Sequence, residues 1–439
     1  MKNVYIKDIL EKDKINSVDL FCWIKNIRNL GGIIFLDLLD STGDIGAFIK
    51  KDSSSLEVFK KIVGLSIESS VRVSGIIQKN KNSKKEIEIK DCEIIGKALL
   101  NIEPSPRKDF NIFDKKYVDF ILSKQHLFIR NQKIANVIKI KSALLESFRQ
   151  WFKIQGFIEI DTPILTQSNL YEDDATFEID YFKTKTYLSQ CASLYLNSAI
   201  SAFEKVFTIT PAFRKQPSKS PRHNPEFWHV KAQAAFYSLD DMIAFTEEMI
   251  LNVFTFIKDK AQKELSYFDI NLDIENLKPP YPQISYDEAL KILKKEGIKI
   301  KWGKSLNEKA EKVLSDKFKK PVFIKKMPKT IEPFPYVVDE LNPDLTMTAD
   351  LLADNGYGEI LGLAEFIYNP EKLISRMKDT NKYTQLERFK WYLELKQFGD
   401  VPASGFGLGI ERFLRWMLKL PHVRNAFLFP RLYHRKPYP

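Results

Sequence analysis

A series of short strand-like segments near the amino terminus limits the possible folds more than any other part of the chain. Within residues 18–98, "VDLFCWIKNI", "GGIIFLDLLDSTGDIGAFIK", "VRVSGIIQ" and "EIEIKDCEIIG" read as strands, with glycines and a Ser-Thr-Gly sequence at the turns. Between the third and fourth strands, "SSSLEVFKKIVGL" has helical spacing. The order strand, strand, strand, helix, strand, strand is typical of a small barrel of five strands.

This strand order favours a barrel of the oligonucleotide-binding (OB) kind over residues 1–100, and an unrelated small β domain is the alternative. The 439 residues are too many for one ordinary core, so two domains are expected. Prolines and mixed charges in "NIEPSPRKDFNIFDKKYVDF" predict a linker over residues 101–130.

Residues 131–439 are predicted to form an α+β domain. A long amphipathic helix is expected over residues 131–155, and "GFIEIDTPIL" after it reads as a strand that stops at Pro163. Strands and helices are interleaved from there to the end. The stretches "YDEALKILKKEGIKI" and "EKAEKVLSDKFKKP" are predicted to be charged helices with solvated faces.

The composition predicts a globular protein of the cytoplasm. No apolar run approaches the roughly 20 residues of a membrane span, and "MKNVYIKDILEKDK" lacks the apolar core of a secretory signal. Cys22, Cys92 and Cys191 are far apart and outside any metal-ligand spacing, which fits a reducing compartment. The net charge of +11 is spread along the chain, so by itself it is weak evidence for a nucleic-acid partner.

Three separated stretches carry residues suited to chemistry. They are "GFIEIDTP" with the helix before it, "FRKQPSKSPRHNPEFWHVKAQ" at residues 213–233, and "SGFGLGIERFLRW" at residues 404–416. The second surrounds a polar loop with arginines, a histidine and an aromatic pair. In the third, glycines permit close backbone approach and Arg412 enters a helix. Their positive side chains are expected to converge on one nucleotide.

These stretches resemble the three signature motifs of class II aminoacyl-tRNA synthetases, and the resemblance covers nearly the whole chain. A barrel before such a domain is the arrangement of the aspartyl, asparaginyl and lysyl enzymes, and the asparaginyl type is the most similar. Its segments resemble "RHNPEFW", "PYPQISYDEALKILKKEGIKIKWG", "DLLADNGYGEI", "YLELKQFGDVPASGFGLGIERF" and "HVRNAFLFPR". The resemblance implies an antiparallel sheet flanked by helices and a homodimer formed around residues 156–163.

The resemblance also implies an activity, in which ATP activates an amino acid as its adenylate, pyrophosphate leaves, and tRNA takes the aminoacyl group. Attack of a carboxylate on the α-phosphate brings two anions together, so the site needs fixed cations more than acids or bases. Arg214 and Arg412 match the catalytic arginines. The residues that match the ATP-binding set are Arg214, Gln216, Arg222, His223, Asn224, Phe227, Glu359, Gly409 and Arg412.

Each match implies a contact. Arg214 would clamp the α-phosphate and the substrate carboxylate, while Arg222 and His223 would reach the outer phosphates. The ring of Phe227 and the guanidinium of Arg412 would sandwich adenine, whose N6 Gln216 would bind in place of the usual glutamate. Two carboxylates match the family's ligands for Mg²⁺ on the phosphates, namely Asp350 and Glu359.

The amino-acid half of the pocket departs from the asparaginyl pattern. Lys231 replaces the glutamate that helps to read the asparagine amide, and Phe366 replaces an arginine that contacts the amino acid. We therefore expect asparagine recognition to be lost, with Lys231 attracting an acidic or otherwise altered side chain and Phe366 forming an apolar wall. Alternatively, Lys231 points into solvent or pairs with Glu365.

Other amino-acid contacts are retained in part. Glu172 and Arg214 match the residues that orient the α-amino and carboxylate groups, although Ser193 stands in place of a glutamine that would touch the substrate. In the barrel, Arg28 and Phe35 match tRNA-binding positions that grip and stack anticodon bases. Gly46 stands where a glutamine usually reads the central base, and Phe35 could instead belong to the barrel core.

Three functions therefore remain open. The first is a tRNA ligase with altered amino-acid specificity, favoured by the full-length architecture. The second is a tRNA-independent amino-acid or amide ligase with the same adenylate chemistry, favoured by the changed substrate wall and by Gly46. The third is a non-catalytic binding or regulatory protein. The retained arginines and carboxylates argue against the third, because drift would erode charged phosphate contacts first.

Overall fold

The computed structural model describes residues 4–12, 15–52, 56–108, 110–171, 173–218 and 220–438. The chain forms two compact units that divide between residues 110 and 111. Within these described ranges, no helix is both long enough and apolar enough to cross a lipid bilayer.

The first unit is a closed five-stranded barrel. Its elements are α1 (Ile6–Glu11), β1 (Ser17–Asn29), β2 (Ile33–Leu39), β3 (Asp44–Lys50), α2 (Leu56–Val63), β4 (Ser70–Lys79) and β5 (Lys85–Gly96). The strand order is β1-β2-β3-β5-β4, and β1 closes the barrel on β4. Alternate residues of β1, among them Leu20, Cys22 and Ile24, are buried in the barrel core because successive side chains of a strand point to opposite faces. The predicted OB barrel is confirmed.

The second unit combines helices with a large sheet. Its helices are α3 (Val118–Ser123), α4 (Gln125–Phe128), α5 (Gln132–Ile154), α6 (Ser193–Phe203), α7 (Leu239–Lys260), α8 (Gln262–Ser266), α9 (Tyr286–Lys295), α10 (Glu308–Phe318), α11 (Pro370–Asp379), α12 (Leu386–Gln397) and α13 (Ile410–Met417). Its strands are β6 (Ile158–Glu159), β7 (Leu165–Thr166), β8 (Glu178–Tyr181), β9 (Thr184–Leu188), β10 (Lys205–Phe213), β11 (Glu226–Ala235), β12 (Gln283–Ser285), β13 (Val322–Lys325), β14 (Thr348–Ala353), β15 (Gly358–Phe366) and β16 (Ala403–Gly409). Short 3-10 helices lie at Lys115–Tyr117, Asp173–Ala175, Glu275–Leu277, Lys382–Gln385 and Val423–Ala426.

An eight-stranded sheet in the order β12-β13-β14-β15-β16-β11-β10-β6 organises this unit. The strands from β13 to β10 pair antiparallel, and the edge strands β12 and β6 pair parallel with their neighbours. Aromatic side chains of α5, α7 and α13, including Phe148, Phe245 and Phe413, pack with Phe406 of the sheet in one core. This α+β architecture confirms the predicted fold class.

The predicted strand "GFIEIDTPIL" is much shorter than expected. The strand is limited to Ile158 and Glu159, which pair with Val206 and Phe207 of β10 at the sheet edge, and Leu165 belongs to the separate strand β7. Residues 101–130, predicted to be a linker, include α3 and α4. Within them Phe128 is buried, and the side-chain amide of Gln125 donates to the carbonyl of Leu428 at 2.8 Å.

The two charged helices predicted to have solvated faces, α9 and α10, each bury the opposite face. Tyr286 and Leu293 of α9 pack with Ala310 and Leu314 of α10 in a core that includes Ile324 of β13. The charged residues outnumber the apolar ones, yet the apolar positions recur at helical spacing and form a continuous stripe. The predicted solvated faces are present, since lysines such as Lys294 and Lys309 are exposed, and each helix also buries the opposite face.

Candidate active site

A cavity of about 330 Å³ lies on one face of the eight-stranded sheet. Strand alternation decides which side chains reach it. On β11, Phe227, His229 and Lys231 line the cavity, while the alternating residues Val230 and Ala232 belong to the helix-covered core. The cavity therefore occupies the sheet face that the core helices leave open.

The loop between β10 and β11 supplies two arginines to this cavity. Its ends are joined where the backbone N–H of Arg214 donates to the carbonyl of Pro225 at 2.8 Å. The guanidinium carbon of Arg214 lies 4.4 Å from the ring centroid of Tyr171. Within the described residues, the Nε atoms of Arg214 and Arg222 are buried without hydrogen-bond partners. Buried donors of this kind normally have an acceptor, so they fit an anionic ligand.

Arg412, in the first turn of α13, joins the two sides of the cavity. Its Nη1 donates to a carboxylate oxygen of Glu359 at 3.1 Å, and its Nε donates to the carbonyl of Arg222 at 3.2 Å. Burial raises the pKa of Glu359, but Arg412, Arg222 and Arg214 outweigh it and lower that pKa below its usual value. Cations from distant parts of the chain thus meet around one carboxylate.

The second carboxylate, Asp350 on β14, is crowded by acidic groups. Its pKa is raised well above the usual range by burial first and then by the charges of Glu359, Glu332 and Glu311. In the part of the chain that the structure describes, no three His, Cys, Asp or Glu side chains are arranged to hold a metal by themselves. Asp350 and Glu359 instead fit an ion such as Mg²⁺, which is often held by one or two carboxylates together with substrate phosphates.

The remaining predicted nucleotide residues surround the same space. His223 is a neutral acceptor or donor at pH 7, because burial and the nearby Arg412 and Arg222 lower its pKa to about 4. Its Nδ1 lies 3.0 Å from the hydroxyl of Ser218. Gln216 lines the rim and is exposed, and Gly409 also lines the cavity.

Two other predicted residues stand close by. The ring of Phe227 contacts His229 edge-on, with 4.6 Å between centroids. Asn224 is buried, and neither atom of its amide has a hydrogen-bond partner among the described residues. Both side chains line the cavity.

Lys231 lies inside the cavity and is only 5% exposed. Its ammonium donates to the hydroxyl of Ser193 at 3.2 Å, and its side chain crosses Gly407, the residue opposite it on β16. Glu365 faces elsewhere, where its carboxylate accepts the backbone N–H of Leu239 at 2.7 Å. The alternative that Lys231 points into solvent or pairs with Glu365 was therefore wrong.

The environment of Lys231 favours its charged form. Burial opposes ionisation, but the neighbouring Cys191 and Tyr171 outweigh it and raise the pKa of Lys231, which in turn lowers the pKa of the Cys191 thiol. The Cys191 sulfur also contacts the Ser193 hydroxyl at 3.1 Å. No carboxylate among the described residues forms an ion pair with Lys231.

Apart from Lys231 and Arg214, the residues predicted to bind the amino acid do not line the cavity or lie outside the described residues. Ser193, at the start of α6, lies behind Lys231 and not in the cavity wall. Phe366 is 4% exposed and packs edge-on against Tyr336 at 5.6 Å between centroids, so Tyr336 forms the wall that was predicted for Phe366. Glu172 lies outside the described residues.

Sequence reasoning missed several acidic residues of this site, among them Glu332, Glu311 and Glu411. Glu332 lines the cavity, and burial together with Glu359 raises its pKa to about 7. Glu311 of α10 accepts a hydrogen bond from Nη1 of Arg222 and another, at 2.8 Å, from the backbone N–H of Glu359. The available signal was a carboxylate within the apolar stripe of α10, beside Ala310 and three residues before Leu314.

The predicted tRNA-binding residues of the barrel are neighbours. Arg28 on β1 lies directly opposite Phe35 on β2, and Arg28 is exposed. Ile34 and Leu36 point into the barrel core, so Phe35 between them faces outward and the alternative of a core phenylalanine was wrong. The Phe35 and Phe48 ring centroids are 6.5 Å apart.

Comparison with known proteins assigns each of the two units to a family. Residues 118–433 match the family of tRNA synthetases class II (D, K and N), and residues 18–95 match the OB-fold nucleic acid binding domain. The chain is 36% identical to the asparagine–tRNA ligase of Pyrococcus abyssi over 434 residues, which cover 98% of each chain. It is 32% identical to the enzyme of that name from Thermoplasma acidophilum, over 98% of this chain and 99% of that one.

Two solved structures are also similar. The asparaginyl-tRNA synthetase of Pyrococcus horikoshii complexed with asparaginyl-adenylate has a TM-score of 0.93 and 34% identity, with 100% of both chains covered. The asparaginyl-tRNA synthetase of Entamoeba histolytica, also in complex with asparaginyl-adenylate, has a TM-score of 0.85 and 25% identity, with 98% of both chains covered.

Proposed function

Since this chain belongs to the class II tRNA synthetases (D, K and N), we propose that it activates an amino acid with ATP and transfers the aminoacyl group to tRNA. The observation that carries this proposal is the cavity in which Arg214, Arg222 and Arg412 surround two buried carboxylates. Two unpartnered guanidinium N–H groups support an anionic ligand there. The likeness to asparagine–tRNA ligases along nearly the entire chain supports the reaction class.

In this proposal Arg214 holds the substrate carboxylate against the α-phosphate, and its planar guanidinium stabilises the negative charge that grows on the equatorial oxygens. Arg222 and His223 bind the outer phosphates that leave as pyrophosphate. Phe227 and Arg412 hold adenine from opposite faces. Mg²⁺, held by Asp350 and Glu359, would neutralise phosphate charge.

We further propose that the substrate has an acidic or otherwise altered side chain, not the asparagine amide. The support is Lys231, a buried cation without a carboxylate partner among the described residues, which lies in the cavity that Arg214 also lines. Cys191 and Tyr171 favour the charged form of Lys231, and a substrate carboxylate would add a further anion to offset the cost of burying that charge. Phe366 packs behind Tyr336, whose ring lines the cavity, so an aromatic surface stands where the arginine was expected to contact the amino acid.

One experiment tests the function. The purified protein is given ATP, Mg²⁺, radiolabelled pyrophosphate and each amino acid in turn, and formation of labelled ATP reports adenylate synthesis. We expect exchange with an acidic amino acid and little with asparagine. Absence of exchange with every amino acid would favour a non-catalytic binding protein.

Transfer to total tRNA is then measured with the amino acid that supports exchange. Charging of tRNA is the expected result. Exchange without charging would favour the tRNA-independent ligase, in which ammonia or an amine takes the activated acyl group.

We propose that the barrel binds the tRNA anticodon through Arg28 and Phe35. Phe35→Ala is expected to lower kcat/KM for tRNA charging about tenfold, since stacking of a base on an aromatic ring contributes about 1–3 kcal/mol. Pyrophosphate exchange, which needs no tRNA, should be unchanged. Phe21→Ala is the matched control, because that ring lies under Arg72 of β4, on the other side of β1. Equal charging by wild type and Phe35→Ala would contradict the assignment.

We also propose a homodimer formed around residues 156–163. β6 is an edge strand of the large sheet, and the nearby apolar side chains of Ile154 and Ile158 are 78% and 45% exposed. An exposed strand edge beside exposed apolar side chains is a surface suited to pairing with a second chain. Sedimentation equilibrium should give a dimer for wild type and a monomer for Ile158→Arg. Leu341→Arg, at another exposed apolar position, should remain dimeric, and a wild-type monomer would overturn the proposal.

A further inference from the structure

We infer that Glu311 is a positioning residue that holds Arg222 in place for the outer phosphates of ATP. The inference rests on the proposed ATP-dependent activation and adds a residue from α10, outside the signature stretches. Arg222 and Glu311 are 89 residues apart in the sequence and form an ion pair at the cavity. Both side chains are almost fully buried.

One carboxylate oxygen of Glu311 joins two parts of the site. Oε2 accepts the Nη1 hydrogen bond of Arg222 and also the backbone N–H of Glu359, which is 2.8 Å away. Glu359 in turn accepts from Arg412 at 3.1 Å. Arg222 of the β10–β11 loop is therefore linked to the start of β15 through a single buried carboxylate.

The backbone at this junction is shaped for the pair. Gly358 has a φ of +77°, and a Cβ added there would lie 2.3 Å from Nη1 of Arg222 and 2.5 Å from Oε2 of Glu311. Any side chain at residue 358 would displace the ion pair, and its backbone conformation also favours glycine. A second contact, from the hydroxyl of Ser220 to Glu308 at 3.4 Å, links the same loop to α10.

The pair leaves part of the guanidinium available. Glu311 accepts from Nη1, whereas Nε of Arg222 is buried and has no partner among the described residues. An arginine presents its five donors in a fixed plane, so holding one edge on a carboxylate sets the direction of the other edge. Glu311 thereby orders Arg222 before ATP arrives, which lowers the conformational entropy lost on binding.

The test compares ATP with AMP, since AMP lacks the phosphates that Arg222 would contact. Affinities of wild type and Glu311→Gln for Mg²⁺-ATP and for AMP are measured by isothermal titration. Glu311→Gln keeps the size of the side chain and removes its charge. We expect about tenfold weaker ATP binding, the size of a lost charge-assisted hydrogen bond, with AMP affinity unchanged. In pyrophosphate exchange, KM for pyrophosphate should rise by a similar factor.

Two further variants give the inference its specificity. In an Arg222→Ala background, adding Glu311→Gln should weaken ATP binding no further, because Glu311 acts through Arg222. Asp316→Asn is the control on the same helix, because the carboxylate of Asp316 forms an exposed ion pair with Lys312. This variant should bind both nucleotides like wild type. Should Glu311→Gln fail to fold, Glu311→Asp, which withdraws the carboxylate by one methylene, is expected to show the same selective loss of ATP affinity.

Equal weakening of ATP and AMP, unchanged ATP affinity, or a Glu311→Gln effect that persists without Arg222 would each overturn the inference. The proposed function fails separately. If wild type itself does not bind Mg²⁺-ATP, the activation proposal is wrong. If wild type binds Mg²⁺-ATP and Glu311→Gln binds it with the same affinity, only the role of Glu311 is rejected.

Discussion

Arg214→Ala is expected to reduce amino-acid-dependent pyrophosphate exchange by about a thousandfold, the range found when one donor to a developing oxyanion is removed. Arg214 should have this effect because its guanidinium faces both reacting anions in the proposed site. Its position is determined by the ring of Tyr171 at 4.4 Å and by the backbone hydrogen bond to Pro225. Alanine would leave neither the charge nor the donors.

The measurement is the initial rate of exchange at saturating ATP and amino acid, with thermal unfolding monitored in parallel. Arg214→Lys should also be strongly impaired, since an ammonium supplies charge without the planar pair of donors. Arg72→Ala is the matched control, because that arginine forms an exposed ion pair with Asp19 in the barrel. Retention of more than about a tenth of wild-type exchange by Arg214→Ala would be incompatible with its proposed role at the reacting atoms.

Lys231→Met should lower kcat/KM for an acidic amino acid by at least about a hundredfold, because breaking a buried charge pair costs about 3–5 kcal/mol. Methionine fills similar space and removes the ammonium that would meet the substrate side chain. KM for ATP should change little, since the predicted nucleotide contacts come from other residues. The variant separates recognition of the side chain from binding of the nucleotide.

Exchange kinetics with the acidic amino acid and with asparagine provide the measurement. Lys312→Met serves as the control, because Lys312 forms an exposed pair with Asp316 on α10. Two results would contradict the assignment. One is a wild-type preference for asparagine, and the other is an acidic-substrate kcat/KM that survives in Lys231→Met.

Much of the nucleotide half of the site could be predicted from the sequence. Arg214 and Arg412 were assigned through local motifs, and the structure places both in one cavity. Such motifs can be recognised in a sequence because the formation of a strand, a turn or the first turn of a helix depends mainly on residues that are neighbours in the chain. The position of Glu311 depends on packing of α10 against the sheet, so its contact with Arg222 could not be deduced from either stretch.

The amino-acid half shows the same division. The sequence showed that a lysine replaces the glutamate of the asparaginyl pattern at residue 231. It did not show whether the side chain of Lys231 enters the pocket. Its position on β11 and the absence of a side chain at Gly407 opposite it direct the ammonium inward. Phe366 was expected to form a wall, yet Tyr336 from a separate segment lies in front of it.

Most elements and their buried faces could be predicted from the sequence, because the apolar alternation of a strand and the stripe of a helix are local properties. The OB barrel follows from these patterns, and the arginines of the loop and of α13 follow from local motifs. The sequence left open whether Phe35 faces outward, and the burial of Ile34 and Leu36 in the barrel core answers that question. The contacts between distant side chains, such as Glu311 with Arg222 and Lys231 with Ser193, become visible in the folded chain alone. Such pairs are set by how helices and strands pack across a core, and no local pattern encodes that geometry.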